Sequence, residues 1–214
     1  MSDVVLHLTQ SDEMAIASAT GRFPEAVAEQ TDGWVGPSSV DRAAALMVDR
    51  ERGMPIADLL ERWTSNAGQL IEVLNDMNLS TRVRWVAGDL SARTLATTRL
   101  SETWIHAGDV AGSFGSVLVP TDRLRLVARL AWRTLPYAFA SAGLSMNGPV
   151  AFCLISPSGE AWDFLPDEPA VTTITGLVVD LCAVAARRID PSATSLRGQG
   201  PDTSAILALV RTYA

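Results

Sequence analysis

The sequence contains no lysine, and all 17 of its basic residues are arginine. A Schiff-base lysine, a pyridoxal-phosphate lysine and a Walker-A phosphate loop all need that amine, so enzymes built on them are excluded. The net charge of −7 argues against non-specific binding of nucleic acid, which needs a basic face to neutralise phosphates. No long apolar run marks a signal peptide or a membrane helix, so the cytoplasm is the expected location.

Cysteine is equally scarce, and Cys153 and Cys182 each lie in an apolar run. Neither belongs to a Cys-x-x-Cys pair or stands beside a histidine, so the pattern favours buried packing residues over redox or nucleophilic roles. The sequence also lacks a serine nucleophile elbow and a Gly-rich phosphate loop. A nucleophile supplied by the protein itself is therefore not evident.

Apolar residues make up 48% of the 214 residues, enough for one large or two small domains. Apolar positions at three- and four-residue steps predict mostly helical structure in the first half. Ser2 and Asp3 are expected to begin the first helix, and Gly21 to end it. Ser38 or Ser39, at the end of a turn-rich loop over 31–39, is expected to cap the third. The predicted helices cover 3–19, 24–30, 40–52, 56–77 and 91–114.

The composition changes after Gly115, where strand patterns join the helical ones. A domain boundary is expected within 115–120, and a turn of glycine, serine and asparagine at 143–148 separates a helix from a β-hairpin. Together the two halves predict an α+β protein that is mostly α. The predicted elements of this half are helices 121–142, 177–188 and 204–212, a hairpin over 150–165 and a strand over 171–175.

The chain has only two histidines, His7 and His106, and both lie in predicted helices. Glu102 stands four residues before His106, a spacing that places both side chains on one helix face. If the helix of His7 packs beside them, two imidazoles and one carboxylate can share a cation, a set that suits zinc with an open position or non-heme iron. A Glu-x-x-x-His pair also occurs by chance on solvated helices, so the spacing alone leaves that alternative open.

The run Arg99-Leu-Ser-Glu102-Thr-Trp-Ile-His106-Ala-Gly-Asp109 resembles the signature helix of the mycothiol-dependent maleylpyruvate isomerase-like proteins, a branch of the DinB-like metal-binding bundles. The segment Asp3-Val-Val-Leu-His7-Leu is similar to the other ligand segment of that family. The resemblance implies that His7, Glu102 and His106 hold a divalent metal, usually zinc.

The resemblance also implies the architecture. Residues 1–117 are expected to form a DinB-like up-and-down helical bundle that lacks the first helix of the family. Residues 118–214 resemble the small α+β C-terminal domain of the subfamily with a wyosine-formation-like domain. Because a missing helix would leave an apolar stripe of the His7 helix uncovered, we expect a homodimer.

The resemblance implies a metal-dependent enzyme that uses a low-molecular-weight thiol, mycothiol in this family, to isomerise or modify a small electrophilic or carboxylate-bearing molecule. Arg133 matches a recurrent arginine of the subfamily and is the candidate for holding a substrate carboxylate, although it could simply pair with an acid. A metal-dependent hydrolase or lyase without a thiol, and a non-catalytic binding protein, remain the alternatives.

An enzyme needs an acid or base beyond the metal ligands. With no third histidine, the candidates are Asp109, Glu13 and Asp12. Asp109 and Arg99 lie three residues either side of the Glu102/His106 pair, so both are also candidates for supporting the ligands. The segment 78–88 is predicted to be a loop or a short extended piece. Its pattern favours Arg84 as a surface charge over an anion-binding group. For Trp85 it leaves two roles open, covering the core or lining the mouth of the site.

Overall fold

The computed structural model describes residues 1–31, 40–86 and 88–212. The chain forms two compact units, Met1–Ser116 and Val117–Ala214. Residues 32–39 of the predicted turn-rich loop, and with them the proposed caps Ser38 and Ser39, lie outside the described residues. The observed mixture of many helices and a small sheet confirms the predicted mostly helical α+β class.

The described residues of the first unit form five helices, whose bounds agree with the predicted ones to a single residue. A short antiparallel hairpin pairs Arg82 with Ser91 and Val83 with Leu90 ahead of the last helix, and its first strand lies in the segment predicted to be a loop or a short extended piece. The elements are α1 (Ser2–Ala19), α2 (Phe23–Thr31), α3 (Val40–Glu51), α4 (Ile56–Asp76), β1 (Arg82–Val83), β2 (Leu90–Ser91) and α5 (Ala92–Ser113).

The ends of α1 show one wrong prediction and one correct one. Ser2 is already helical and the cap position is Met1 without a side-chain cap, so the Ser2 cap is wrong, while Asp3 does lie in the first turn. Gly21 ends the helix with a φ of 77°, a left-handed conformation that glycine adopts without a Cβ penalty. The Arg22 amide then donates back to the Ala17 carbonyl at 2.7 Å, which satisfies one of the last helical carbonyls.

Helix α1 is the centre of the first unit, because it contacts α2, α3, α4 and α5. Most of its apolar residues are buried, among them Leu6, which packs with Val48 of α3 and Leu59 of α4, while Val4 and Val5 are partly buried. A second cluster joins α1 to α4, β1 and α5. The uncovered apolar stripe expected on the His7 helix is therefore wrong, since the other helices cover it. The members of the second cluster are Ala15, Ile16, Leu70, Val83 and Leu95.

The second unit is built on a four-stranded sheet with the order β4-β3-β5-β6. The predicted hairpin is confirmed, since Phe152 pairs with Phe164 and Ile155 with Ala161. The parallel pairing of β3 with β5 and the short strand β6 were not expected. The elements are α6 (Leu124–Arg133), α7 (Leu135–Ser141), β3 (Val150–Ile155), β4 (Ala161–Phe164), β5 (Thr172–Leu177), α8 (Val178–Ala185), β6 (Arg197–Gln199) and α9 (Thr203–Leu209).

The prediction of a single helix over 121–142 is wrong, because the structure has two helices there, α6 and α7, which meet at Thr134. Pro136 is the cause. It has no amide hydrogen to donate to Trp132, and its ring clashes with that carbonyl, so a continuous helix is interrupted there. Pro136 instead occupies the first turn of α7, where its missing donor costs nothing.

Among the helices that the structure describes, none combines the length and the apolar character needed to cross a bilayer.

Candidate metal centre

The three residues expected to hold a metal come together between α1 and α5. Nε2 of His7 lies 3.5 Å from Oε2 of Glu102, and Nε2 of His106 lies 3.6 Å from the same oxygen. One ligand atom from each residue can be chosen so that all three lie within 4.8 Å of one another. The two imidazole rings meet edge to face with their centroids 5.0 Å apart. The helix of His7 therefore does pack beside the Glu102/His106 face.

The two nitrogen to oxygen distances suit a shared cation better than a direct hydrogen bond. An N–H···O hydrogen bond is usually about 2.7–3.2 Å long. Around a tetrahedral zinc ion with bonds of about 2.1 Å, neighbouring ligand atoms lie about 3.4 Å apart. The observed 3.5 and 3.6 Å are close to that tetrahedral edge, while the three ligand atoms as a set lie within 4.8 Å of one another, a looser arrangement than a bound ion would impose. Two imidazole nitrogens and one carboxylate oxygen also form a ligand set that zinc accepts while keeping one position open, so the residues present fit the metal.

Asp109 fixes the orientation of His106. Its Oδ2 lies 2.9 Å from Nδ1 of the imidazole, three residues away on α5. An ionised carboxylate can only accept a hydrogen bond, so Nδ1 carries the hydrogen and donates a hydrogen bond to Asp109. In the neutral ring the lone pair is then on Nε2, the nitrogen that faces Glu102. A carboxylate that binds the distal nitrogen of a histidine ligand in this way is a common support for metal sites.

The electrostatics of the triad keep Glu102 ionised. Burial raises the pKa of its carboxyl, but the imidazoles of His106 and His7 and the guanidinium of Arg99 outweigh burial and hold the pKa well below its usual range. Contact with Glu102 raises the pKa of His106 above its ordinary value, burial opposes this, and Asp109 adds to the rise. Without a metal, the contact with Glu102 favours a proton on His106 beside the partly buried carboxylate.

Arg99 forms its hydrogen bonds with α1 and, among the described residues, none with the three candidate ligands. Its Nε donates to Oδ1 of Asp12 at 3.0 Å, and its Nη2 donates to Ser11 Oγ at 2.7 Å. The pair is buried, with only 6% of the Arg99 side chain and 8% of the Asp12 side chain exposed. Arg99 therefore supports the site through its charge, whereas Asp109 supports it by direct contact.

The other two candidate acids are engaged elsewhere. Asp12 belongs to the buried pair with Arg99. Both oxygens of Glu13 accept hydrogen bonds from Arg62, at 2.7 and 2.8 Å, and Asn66 donates to one of them. Arg62 also pairs with Glu51, so this network ties α1, α3 and α4 together. Of the three candidates, Asp109 is the one that contacts a metal ligand.

An open cleft of about 270 Å³ leads to the two histidines. Its walls are the first turns of α1 and one face of α3, and they carry small apolar side chains, Val4, Ala44, Ala45 and Val48. His7 and His106 line it as well, and Asp3, Asp49 and Arg52 complete the lining. His7 and His106 are 28% and 17% exposed, so the imidazoles can be reached from solvent. A ligand in the cleft would lie against the two imidazoles.

Asp49 and Arg52 were missed by sequence reasoning. Nothing in the residues around α3 distinguishes them from the ordinary charges of a solvated helix face. The only available signal was the spacing of Ala44, Ala45 and Val48, which gives α3 an apolar stripe next to these charges. The packing of α3 beside the first turn of α1 is what turns them into cleft residues.

Trp85 covers the core instead of lining the cleft. Its ring lies 5.7 Å from that of Phe23, and it packs on the cluster that contains Leu95. The Arg84 side chain is exposed, and its backbone carbonyl accepts a hydrogen bond from Ser18. The cleft is lined by neither residue, in agreement with the interpretation of Arg84 as a surface charge.

Arg133 and the two cysteines lie in the second unit. Arg133 is the last residue of α6, and its side chain is exposed. Cys182 is fully buried, as expected, and burial raises the pKa of its thiol. Cys153 is only partly buried, which corrects the expectation for that residue, yet burial and the neighbouring Asp163 still raise the pKa of its thiol.

Comparison with known proteins points to one family. Residues 1–111 match the family described as the mycothiol maleylpyruvate isomerase N-terminal domain. Two relatives, described as uncharacterized proteins of Mycobacterium tuberculosis strains CDC 1551 / Oshkosh and ATCC 25618 / H37Rv, are 31% identical, and the match covers 97% of this chain and 79% of theirs. The family match ends before the second unit, so the resemblance of that unit to a wyosine-formation-like domain stays a prediction.

Two solved structures share the fold. The crystal structure of a mycothiol-dependent maleylpyruvate isomerase matches with a TM-score of 0.53 at 16% identity, and that of a mutant of the enzyme with a TM-score of 0.55 at 18% identity. Each match covers 94% of this chain and 80% of the other. The family match over half of the chain and the two relatives lead to one conclusion: the chain belongs to the mycothiol maleylpyruvate isomerase family.

Proposed function

We propose that the protein is a metal-dependent enzyme that uses a low-molecular-weight thiol, mycothiol or a similar molecule, to isomerise or modify a small electrophilic molecule. His7, Glu102 and His106 would hold one divalent ion, for which zinc is the best fit to the donor set. The observation that carries the proposal is the convergence of these three ligand atoms within 4.8 Å beside a cleft. Family membership supports an enzyme of this kind.

The protein residues prepare the centre in two ways. Glu102 stays ionised because the imidazoles and Arg99 hold its pKa low. Asp109 keeps the proton of His106 on Nδ1 and leaves Nε2 available for the ion. A divalent ion bound there would lower the pKa of a thiol that reaches it. Asp109 is also the proposed catalytic acid or base, because its side chain is 30% exposed and in contact with a ligand.

The thiol is proposed to come from a small molecule because the cysteines are poor nucleophiles. The nucleophilic form of cysteine is the thiolate, and the pKa values of both Cys153 and Cys182 are raised. Neither residue lines the cleft beside the two histidines. A thiol supplied by a small molecule does not require a nucleophilic cysteine from the protein.

Arg133 is the proposed residue for a substrate carboxylate. Its guanidinium is exposed at the C-terminal end of α6, and a guanidinium binds a carboxylate with two parallel hydrogen bonds. If it does so here, Arg133→Ala raises KM and Arg133→Lys restores little. Arg129→Ala, one turn earlier and equally exposed, is the matched control and leaves KM unchanged.

The test of the thiol mechanism is optical. The protein is loaded with cobalt in place of zinc and titrated with thiol, and the absorption spectrum is followed. A sulfur-to-metal charge-transfer band is expected in the wild type and also in a Cys153→Ser/Cys182→Ser variant, because neither cysteine supplies the sulfur. If the band does not appear at saturating thiol, the thiol mechanism fails and a centre that activates water becomes the better proposal. The homodimer and the cytoplasmic location stay predictions, and light scattering tests the first of them.

A further inference from the structure

Two acidic residues and one arginine stand at the mouth of the cleft. Nη2 of Arg52 lies 2.8 Å from Oδ2 of Asp3, and Nε of Arg52 donates to the same oxygen at 3.0 Å. Nη1 of Arg52 lies 2.9 Å from Oδ1 of Asp49. The guanidinium thus connects the first turn of α1 to the end of α3, and all three residues line the cleft.

The charges at this mouth do not cancel. Two carboxylates against one guanidinium leave one net negative charge, and the donors of Arg52 already serve both acids. A ligand carboxylate placed here would become a third anion around a single cation. The contacts of Arg52 engage Oδ2 of Asp3 and Oδ1 of Asp49. Among the residues that line the cleft, Arg52 is the one guanidinium, and it already pairs with two carboxylates, so the mouth offers acceptors to a ligand more readily than a partner for an anion.

The mouth shares its cleft with one of the candidate ligands. Asp3 precedes His7 by four residues of α1, which is a rise of about 6 Å along the helix axis. The cleft that both residues line also carries the small apolar side chains of Ala44, Ala45 and Val48. A small ligand whose sulfur is at the metal and whose tail extends toward the acids would contact this apolar surface.

We propose that Asp3, Asp49 and Arg52 determine which thiol the cleft accepts, favouring a thiol whose tail is neutral or cationic and donates hydrogen bonds, and disfavouring a thiol with a carboxylate tail. This inference rests on the proposed function, since it assumes that the ligand sulfur occupies the metal. It assigns a role to three residues outside the metal triad and adds a charge preference to the site.

Three thiols of nearly equal length test the inference: 2-mercaptoethylamine, 2-mercaptoethanol and 3-mercaptopropionate. The dissociation constant of each is measured on the cobalt-loaded full chain from the sulfur-to-metal band, at low salt. We expect 3-mercaptopropionate to bind about fivefold more weakly than 2-mercaptoethanol, and 2-mercaptoethylamine to bind at least as tightly. The difference should shrink at high salt, because the acids are partly exposed and screened.

Variants locate the cause of this preference. In Asp3→Asn/Asp49→Asn the disadvantage of the carboxylate thiol should disappear, because Arg52 then has no carboxylate partner at the mouth. The single variant Asp49→Asn, which leaves the first turn of α1 intact, should give part of the same change. Asp58→Asn is the matched control, since Asp58 is also a first-turn acid, on α4, and does not line the cleft; it should keep the wild-type order.

The outcomes separate this inference from the proposed function. Equal affinities for the three thiols, or an order that Asp58→Asn changes as much as the double variant does, would overturn the inference and leave the thiol mechanism standing. If no thiol produces the band, the proposed function fails and the inference falls with it.

Discussion

Nδ1 of His106 donates to Oδ2 of Asp109 at 2.9 Å, while Nε2 of the same ring faces Glu102 at 3.6 Å. One imidazole is thus held by a carboxylate on one side and presented to a second carboxylate on the other. The short contact is a hydrogen bond and the long contact has room for an ion. Asp109 therefore supports the ring at Nδ1, and Nε2 on the other side of the ring faces the position proposed for the ion.

Replacing Asp109 should weaken the metal site without removing it. In Asp109→Asn the carboxylate that orders His106 is replaced by an amide, so the ring loses a charge-assisted hydrogen bond. Changes at such supporting positions typically cost about 10- to 100-fold in metal affinity. Competition with a chelator measures the loss. Asp89→Asn, an exposed acid of the first unit, should leave the affinity unchanged, and equal affinities in all three proteins would show that Asp109 does not support the ligand.

The pH dependence of stability should differ between the metal-free and the metal-loaded protein. The pKa of His106 is raised from 6.5, so its protonated form stabilises the metal-free protein below about pH 6.5, and this contribution is lost as the pH rises through the folded-state pKa. The pKa of Glu102 is lowered from 4.5, so its contribution is present above about pH 4.5 and is lost as the pH falls through the folded value. In the metal-free protein the Glu102–His106 pair therefore stabilises the fold most between about pH 4.5 and pH 6.5.

Metal binding should show the opposite trend on the alkaline side, because the ion needs the lone pair of Nε2 and competes with the proton. We expect the difference in Tm between the zinc-loaded and the chelator-treated protein to increase from pH 6 to pH 8. Thermal unfolding at several pH values measures it. A Tm difference that is constant over this range would show that no histidine titrates on metal binding.

The buried pair of Arg99 and Asp12 should matter for folding more than for chemistry. Breaking a buried ion pair by removing one partner typically costs about 3–5 kcal/mol, because a charge is left without compensation. Burial already raises the pKa of Asp12 and Arg99 opposes that rise, so Arg99→Met should raise this pKa further. The stability lost in the variant should accordingly be larger at pH 8 than at pH 5.

A double-mutant cycle separates the pair from the packing. Arg99→Met/Asp12→Leu removes both charges, and its free energy of unfolding should lie closer to that of the wild type than either single variant does. Denaturant unfolding of the four proteins gives the coupling. Additive losses would indicate that the two side chains act independently, against the 3.0 Å contact between them.

The sequence predicted the parts of this protein that depend on local pattern. The bounds of α1 to α5 follow from apolar periodicity and from breakers such as Gly21 and Pro55. The Glu102/His106 pair follows from its four-residue spacing. The one predicted helix that the structure divides, at Thr134, contains Pro136, and giving full weight to the proline would have placed the break.

Features set by tertiary packing could not be predicted in the same way. The parallel pairing of β3 with β5 joins strands that are separated in the sequence by β4, and no short-range signal specifies it. The covered face of α1 depends on α4 and α5 packing on it, so the assumption of a missing helix misled the prediction of an apolar stripe. Asp49 and Arg52 become cleft residues only because α3 lies beside His7.

Metal content tests the central claim most directly. The wild type, Glu102→Gln and His106→Ala are each incubated with excess zinc, dialysed and analysed for metal per chain, with circular dichroism to show that the variants are folded. Glu72→Gln on the exposed face of α4 is the control. We predict about one zinc ion per chain in the wild type and the control, and little in the two site variants. No zinc in the wild type, or an equal content in folded His106→Ala, would contradict a metal centre at His7, Glu102 and His106.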